Sequence, residues 1–449
     1  MHANRMTEGS IRKALIYFSI PMILSNLFQQ LYNTVDSIIV GNIVGKEALA
    51  AVGSSGPVIY LIVGFFIGLA AGAGVVVSQA FGARNKEKTH EAVHTSIAVG
   101  IIFGAIMTVV GVVITPTLLK YMGVPDSVMG ESVMYLRVYF AGILPIMLYN
   151  MGSSIIQAIG DSKTPLYILV TASILNIVLD FVFVGFMDMG IFGAAFATVL
   201  SQVLSAILAL IKLIKTNDSY KLVIKDIKIH KKTLKRIIKF GLPGGIQNTI
   251  VSVSNIVVQS NINSFGAIAM AGCSAYQKIE GFAVLTTSSL SMAVATFTGQ
   301  NIGAGNMERV KKGIKTGVLM SVGTMAVVSV VTFIVVPKMI GIFNDDPGVI
   351  YYGIRMMQFL VPGYIFVSMS DTLAGSLRGM GRSLEPMLVI IGCWCGLRMT
   401  WIYFSTKVIN DIAVVFLGYP ISWVASAIIL VTYMKFKVFN GNKNESLRV

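Results

Sequence analysis

The amino-acid sequence predicts an all-α polytopic membrane protein, with twelve transmembrane helices in two pseudo-symmetric six-helix lobes. Three observations support this prediction: the composition, the distribution of positive charge and an internal repeat. Of the 449 residues, 55% are hydrophobic and only 12% are charged, whereas a soluble protein carries about a quarter charged residues. Apolar stretches long enough to cross ~30 Å of hydrocarbon recur along the whole chain.

Twelve apolar stretches are predicted to span the membrane. Each is bounded by polar or charged residues, or by a short turn containing glycine or proline. The spans are predicted at 14–41, 48–78, 93–118, 130–157, 164–186, 190–213, 237–263, 267–298, 313–337, 350–376, 384–405 and 410–435.

Positive charge follows this topology. If the N-terminus lies inside, 27 of the 35 Lys and Arg residues flank the inner ends of the spans, and only Lys46, Lys120, Lys338 and Lys407 lie in outer loops. An excess of Lys and Arg on the cytoplasmic side is the rule for membrane proteins. Both termini are therefore predicted to be cytoplasmic. Since topology accounts for the net charge of +15, a nucleic-acid partner is not expected.

The chain contains two related halves. SQAFGARN at 78–85 and GQNIGAGN at 299–306 match at an offset of 221 residues, and the same offset pairs Gly45 with Gly266 and Gly160 with Gly381. The predicted domains are a first lobe at 1–213, a cytoplasmic linker at 214–236 and a second lobe at 237–449. Because each lobe has an even number of spans, both enter the membrane in the same sense. Repeats of this kind are typical of alternating-access transporters, with the substrate site between them.

An aspartate interrupts the first span. In LYNTVDSIIVG at 31–41, Asp36 is the only charged residue between Ala14 and Gly41. A carboxylate at this depth costs about 2.5–3.5 kcal/mol on insertion scales, so it indicates a function.

Over nearly its whole length the sequence resembles the multidrug and toxic compound extrusion (MATE) transporters. The matching stretches are FSIPMILSNLFQQLYNTVDSIIVG, VSQAFGARN, AIGDSKTP, NIVLDFVFVG, GIFGAAFATVLSQ, GQNIGAGN, AGSLRGMGRS and YPISWVASAI. The resemblance implies a prokaryotic cytoplasmic-membrane antiporter, which exports amphipathic and often cationic compounds in exchange for protons or sodium. It is closest to the DinF-like prokaryotic branch, whose cation site lies in the first lobe. The residues at the matching positions here are Asp36, Asn176, Asp180 and Thr198.

These residue types suit cation coupling. Asn176 and Asp180 are four residues apart and share a helix face. Two carboxylates in a dry site cannot both ionise cheaply, so one holds a proton at neutral pH. The same oxygens, with the Thr198 hydroxyl, could instead bind sodium. Proton and sodium coupling both stay open, and neither a cofactor nor any metal other than sodium is expected.

Further polar residues within spans are candidates for a substrate cavity, and two prolines are candidate helix kinks. Tyrosine and amide side chains can line a cavity for small amphipathic compounds, and Glu280 and Asp371 can attract cations. A proline within a helix removes one backbone donor, which permits a bend. The cavity candidates are Gln29, Tyr32, Tyr149, Asn150, Gln157, Glu280 and Asp371, and the candidate kinks are Pro21 and Pro243.

Alternative functions are less well supported. Residues 90–94, HEAVH, match the zinc-protease pattern, but the offset places lysines opposite them at 311, 312 and 315. This pattern favours a polar cytoplasmic helix start at which lysine is tolerated. Asp180 follows Val178-Leu179, so the Gly-x-Gly-Asp motif of intramembrane aspartyl proteases is absent. The chain is predicted to be a monomer in the bilayer and not an enzyme; a flippase of lipid-linked or other endogenous metabolites is the alternative transport function.

Overall fold

A computed structural model describes residues 6–343 and 345–440. These residues contain helices and turns and no β-strand. They form two compact units, the first comprising Ile20–Leu242 and the second comprising Met6–Ser19 together with the described residues from Pro243 onwards. The predicted boundaries at 1–213, 214–236 and 237–449 are based on the sequence repeat, whereas the two units are based on contacts. The predicted boundaries remain a prediction.

Seven long helices belong to the first half of the chain. They are α1 (Ile11–Ile39), α2 (Lys46–Gly82), α3 (Lys86–Tyr121), α4 (Asp126–Ala141), α5 (Ile143–Ala158), α6 (Lys163–Asp180) and α7 (Gly190–Lys215). Two π-helical segments extend α1 and α6, at Val40–Val44 and Phe181–Phe186. The linker after α7 contains a single 3₁₀ turn, Ile224–Asp226.

Eight helices follow in the second half. They are α8 (Lys231–Asn263), α9 (Ala267–Gly303), α10 (Met307–Phe343), α11 (Pro347–Leu360), α12 (Tyr364–Gly379), α13 (Leu384–Ile390), α14 (Arg398–Val408) and α15 (Ala413–Met434). A 3₁₀ turn, Val361–Gly363, joins α11 to α12, and a π-helical segment, Ile391–Leu397, joins α13 to α14. Another π-helical segment, Lys435–Phe439, extends α15.

The sequence repeat is also a repeat of backbone conformation. Gly45 and Gly266 precede α2 and α9 with φ angles of 119° and 100°, and Gly160 and Gly381 have φ angles of 94° and 81°. Residues with a Cβ rarely adopt these angles. Glycine recurs at the offset of 221 because both halves make the same turns.

The repeated Gly-Ala-x-Asn motif ends one helix and starts the next. Asn85 accepts a hydrogen bond from the Lys88 amide at 2.9 Å, and Asn306 accepts one from the Arg309 amide at 3.0 Å. An asparagine at this position satisfies an amide at the start of the following helix. The motif is thus a paired helix stop and N-cap.

Two of the predicted spans are interrupted at the same place in the repeat. The span predicted at 130–157 consists of α4 and α5, which meet at 46° around Gly142. The span predicted at 350–376 consists of α11 and α12, which meet at Gly363, 221 residues after Gly142. Nearby prolines, Pro145 and Pro362, remove backbone donors at the two breaks.

Among the described residues, nine helices are long and apolar enough to cross a membrane, or ten if α4 and α5 form one span. The other predicted spans correspond to α8 and to the pair α11 and α12. The first three turns of α8 carry several Lys and Arg residues, and α11 and α12 are individually short. The charged start of α8 and the shortness of α11 and α12, and not a lack of helix, separate these spans from the rest.

Helices α9 and α12 approach closely in the second unit. Gly375 and Gly379 lie one turn apart on α12, and a Cβ on Gly375 would lie 2.5 Å from the carbonyl oxygen of Ser291. A Cβ on Gly379 would overlap the carbonyl oxygen of Ala295. Small residues spaced by four allow this approach in membrane helices. The Ser291 hydroxyl also donates to the Asp371 carbonyl at 2.6 Å.

The N-terminal end of α3 contacts the linker in the first unit. His94 is fully buried, and its Nε2 accepts a hydrogen bond from the Val223 amide at 2.9 Å. His90 lies 3.3 Å from the Asp226 carboxylate with 38% of its side chain exposed. The predicted polar face therefore agrees with the exposure of His90 and is wrong for His94, because the linker covers that side of the helix; its cytoplasmic location stays a prediction.

Lysine substitutions should separate these two histidines. His94→Lys removes the acceptor of the Val223 amide and places a longer, charged side chain in a buried site, and it should destabilise the first unit by about 1–3 kcal/mol. His90→Lys keeps a cation beside Asp226, and such surface changes are usually within about 0.5 kcal/mol. Thermal unfolding in detergent with a chelator present measures both. Equal melting temperatures for the two variants would contradict the role assigned to His94.

Candidate coupling site

Helices α1, α6 and α7 contribute the candidate coupling residues in the first unit. Asp36 lies one turn before the π-helical segment that extends α1, and Asp180 is the last residue of α6 before its own π-helical segment. These two π-helical segments pack against each other. Irregular turns of this kind are often found at functional sites.

The carboxyl groups of Asp36 and Asp180 are neighbours. Asp180 is fully buried and Asn176 is 1% exposed. Apart from the contact between the two carboxyl groups, no described residue pairs with five buried atoms: both carboxylate oxygens of Asp180, the side-chain oxygen and nitrogen of Asn176, and Oδ1 of Asp36. Buried polar groups are normally paired, and an unpaired cluster indicates a bound ion, proton or water.

Charge repulsion sets the state of this cluster. Two unit charges ~4 Å apart interact by about 4 kcal/mol at an effective dielectric constant of 20. Burial adds a desolvation cost for each carboxylate. The pair therefore needs a cation between the carboxylates, or a proton on one of them.

A cleft opens beside this cluster. It is narrow and partly open, and Tyr32, Asn176 and Thr198 contribute to its wall. Thr198 is partly exposed, unlike Asn176 and Asp180. The structure thus brings all four predicted coupling residues into one region, with the Thr198 side chain at the cleft and the two carboxylates next to it.

The cleft also contains polar residues that the sequence reasoning missed. Beside the predicted Thr198, the same face of α7 carries Ser201, Gln202 and Ser205, and α6 adds Ser173 one turn before Asn176. Spacings of three and four residues place these side chains on one helix face. This polar stripe within an apolar span was a usable signal in the sequence.

The predicted cavity residues of the first unit differ in their surroundings. Tyr32 is part of the cleft wall, lies near Asp36 and Tyr149, and bonds to the exposed Gln29. Asn150 donates to the Ile146 carbonyl at 2.8 Å and Gln157 donates to the Ser153 hydroxyl at 3.2 Å, both within α5. Tyr32 therefore has the clearest link to the coupling cluster, while the amide donors of Asn150 and Gln157 bind their own helix.

The second unit holds a different polar cluster. Glu280 lies near Tyr364, whose hydroxyl is 2.6 Å from that of Tyr276. Arg398 is 2% exposed, donates to the Ser422 hydroxyl through Nε at 3.1 Å, and lies over the Tyr419 ring at 4.3 Å. An arginine here, and no aspartate pair, distinguishes this cluster from that of the first unit. Asp371 lies on α12, two turns before Arg378, whose charge acts on the Asp371 carboxyl group.

Comparison with known proteins identifies the family. The MatE family model matches residues 21–182 and again residues 243–404. The chain belongs to the MatE family. The two matches begin at Pro21 and Pro243, so the MatE model recognises the same repeat that the glycine pairs reveal.

Relatives of this MatE protein cover nearly its whole length. The probable multidrug resistance protein YoeA of Bacillus subtilis is 27% identical over 440 residues, which is 96% of this chain and 95% of YoeA. The probable multidrug resistance protein YpnP of the same organism is 30% identical over 403 residues, or 88% of each chain. A solved MOP superfamily transporter from Pyrococcus furiosus is 23% identical, with 98% of each chain covered and a TM-score of 0.92.

Family membership confirms the predicted fold class. MatE proteins are transporters with twelve helices in two lobes, and the high TM-score shows that this chain adopts that fold. The chain is accordingly a multi-pass membrane protein. Its closeness to the DinF-like branch and the kinks at Pro21 and Pro243 stay predictions; both prolines lie inside continuous helices, α1 and α8.

Proposed function

We propose that this MatE protein is a secondary active antiporter, which exports amphipathic and often cationic compounds in exchange for protons or sodium. The observation that supports the proposal best is the cluster of Asp36, Asn176 and Asp180, in which the two carboxyl groups contact each other and no other described residue pairs with five buried polar atoms. These carboxylate and amide atoms can bind a mobile cation, and they do not form the extended hydrogen-bond network expected of a purely structural cluster. The names of YoeA and YpnP agree with multidrug export.

Coupling follows from the cost of charge in this cluster. When a proton or sodium ion binds, it screens the two carboxylates from each other, and the cluster is stable in its buried form. When the ion leaves, the repelling carboxylates favour a form in which water can reach them. Export is coupled if the drug-bound protein can switch between its inward-open and outward-open states in only one of these two forms.

The proposed arrangement places both termini and the 214–236 linker on the cytoplasmic side of a prokaryotic plasma membrane. The charge distribution supports this orientation, since the inner segments hold most Lys and Arg residues. Small amphipathic compounds and the bilayer are the proposed partners, and the protein is proposed to act as a monomer without a cofactor.

Transport in inverted vesicles tests the coupling. Vesicles containing the protein should accumulate a fluorescent cationic drug when an ion gradient is imposed. We expect collapse of one gradient, either that of protons or that of sodium, to reduce accumulation at least tenfold, while collapse of the other has little effect.

Two outcomes would contradict the antiport proposal. One is drug accumulation that persists after both gradients are collapsed. The other is translocation of a lipid-linked sugar without any drug transport, which would favour the flippase alternative. Vesicles with Asp36→Asn protein at equal abundance provide the background rate.

A further inference from the structure

The two histidines of HEAVH and one linker carboxylate lie close enough to share an ion. His90, His94 and Asp226 each offer one ligand atom, and these atoms all lie within 4.8 Å of one another. Nε2 of His90 is 3.3 Å from Oδ2 of Asp226. Tetrahedral bonds of about 2.0–2.1 Å place two ligand atoms about 3.3 Å apart. This pair already has the spacing of two ligands on one zinc ion.

His94 is oriented as a metal-binding histidine is. Its Nδ1 lies 2.7 Å from the His90 carbonyl oxygen, which can only accept, so this shorter contact places the ring proton on Nδ1. Nε2 then accepts from the Val223 amide at 2.9 Å and also lies 3.1 Å from the Val223 carbonyl oxygen. A backbone carbonyl on the second nitrogen fixes the tautomer and orientation of metal-bound histidines. The Nε2 lone pair is thus directed outward from α3, and a metal ion would compete for it with the Val223 amide.

We propose that His90, His94 and Asp226 form a binding site for a divalent transition-metal ion such as zinc. Imidazole nitrogens favour zinc, nickel and copper over magnesium and calcium. His90 and Asp226 are 38% and 50% exposed, so an ion can reach them and both side chains can move inward to complete the site. Water fills the remaining coordination position.

The site joins two segments of the first unit. The histidines belong to α3, and Val223 and Asp226 belong to the linker. Metal binding replaces the hydrogen bond between His94 and Val223 by a bridge from α3 to Asp226. The linker therefore stays bound to α3 in both states, through the Val223 amide without metal and through Asp226 with metal.

The surroundings favour metal binding over peptide hydrolysis. In a zinc protease the glutamate of this motif is the general base. Here the Glu91 carboxylate lies 3.4 Å from Nδ1 of His230 and accepts a hydrogen bond from the Thr233 hydroxyl at 3.4 Å. These linker contacts occupy both of its oxygens.

Zinc titration of the whole protein tests the site. The protein is purified in detergent without a histidine tag, stripped with a chelator and titrated with zinc in a calorimeter. We expect one zinc ion per chain, and His90→Gln and Asp226→Asn should each weaken binding at least tenfold. Matched controls from the same region, His230→Gln and Asp218→Asn, should bind zinc as the unsubstituted protein does. His94 is left intact because its removal would empty a buried position.

Three results would overturn the proposal. They are no saturable zinc binding, unchanged affinity in both ligand variants, and equal losses in the ligand variants and the controls, which would mean an adventitious ion only. Amide exchange gives a second measurement: zinc should speed exchange at Val223, because that amide loses its acceptor. Unchanged exchange at saturating zinc would overturn the assignment of His94 as a ligand.

Discussion

Asp36→Asn and Asp180→Asn should each reduce uphill drug export at least tenfold and leave membrane insertion intact. Asparagine keeps the shape of aspartate and most of its hydrogen bonds, but it can neither ionise nor release a proton. Each variant therefore fixes the cluster in a single charge state, and the cycle cannot alternate. Drug binding should persist, because the cluster does not need to titrate for a drug to enter.

The double variant distinguishes coupling from packing. If the two carboxylates act as one unit, Asp36→Asn with Asp180→Asn should be little worse than either single change, since effects within one unit are not additive. Asp188→Asn is the matched control, because Asp188 follows Asp180 by eight residues and is exposed. Export should be measured against a gradient at equal protein abundance. Full uphill transport by Asp36→Asn would show that this aspartate serves packing alone.

Gly379→Ala should destabilise the second unit by about 1–3 kcal/mol, as overpacking in a closely packed core typically does. The added Cβ would overlap the carbonyl oxygen of Ala295 on α9, which is backbone and cannot rotate away. Gly375→Ala should act in the same direction, since its Cβ would meet the Ser291 carbonyl oxygen. Thermal unfolding in detergent measures both.

Gly323→Ala is the control for these changes. Gly323 lies in α10 of the same unit, and its Cβ would have nothing within 4 Å. Alanine in an exposed helix interior is favoured over glycine by about 0.5–1 kcal/mol. Gly323→Ala should thus raise the melting temperature slightly. If Gly379→Ala also raised it, the close approach of α9 and α12 would not be needed for stability.

Much of the fold could be predicted because its signals are local. An apolar run marks a membrane helix, charged residues mark its end, and the repeated glycines Gly45 and Gly266 mark turns. Each of these signals involves only a few neighbouring residues. The breaks at Gly142 and Gly363 were missed because the apolar run continues through them. Hydropathy indicates whether a segment is apolar enough to lie in the membrane. It does not indicate whether the helix bends there.

The candidate site could be predicted only in part. Asp36 and Asp180 were apparent because a carboxylate in an apolar span is costly. The polar face of α7 around Gln202 was missed because each of its residues is common in membrane helices. Only their shared spacing on one helix face indicates a site. The burial of His94 depends on the path of a linker 129 residues away from it, which no local pattern encodes. Local sequence patterns therefore did not determine the contacts between distant segments.

The placement of residues 6–19 in the second unit has a consequence for the order of synthesis. The Met6 amide donates to Oε1 of Gln300 at 2.9 Å, across 294 positions of the chain. Arg309 also donates to the carbonyl oxygens of Met6, Glu8 and Gly9. At a translation rate of about 5–20 residues per second, the first segment leaves the ribosome ~15–60 s before these partners exist. The second unit can be completed only by residues made about 290 positions earlier, so a nascent chain halted after α7 would leave residues 6–19 without their final contacts.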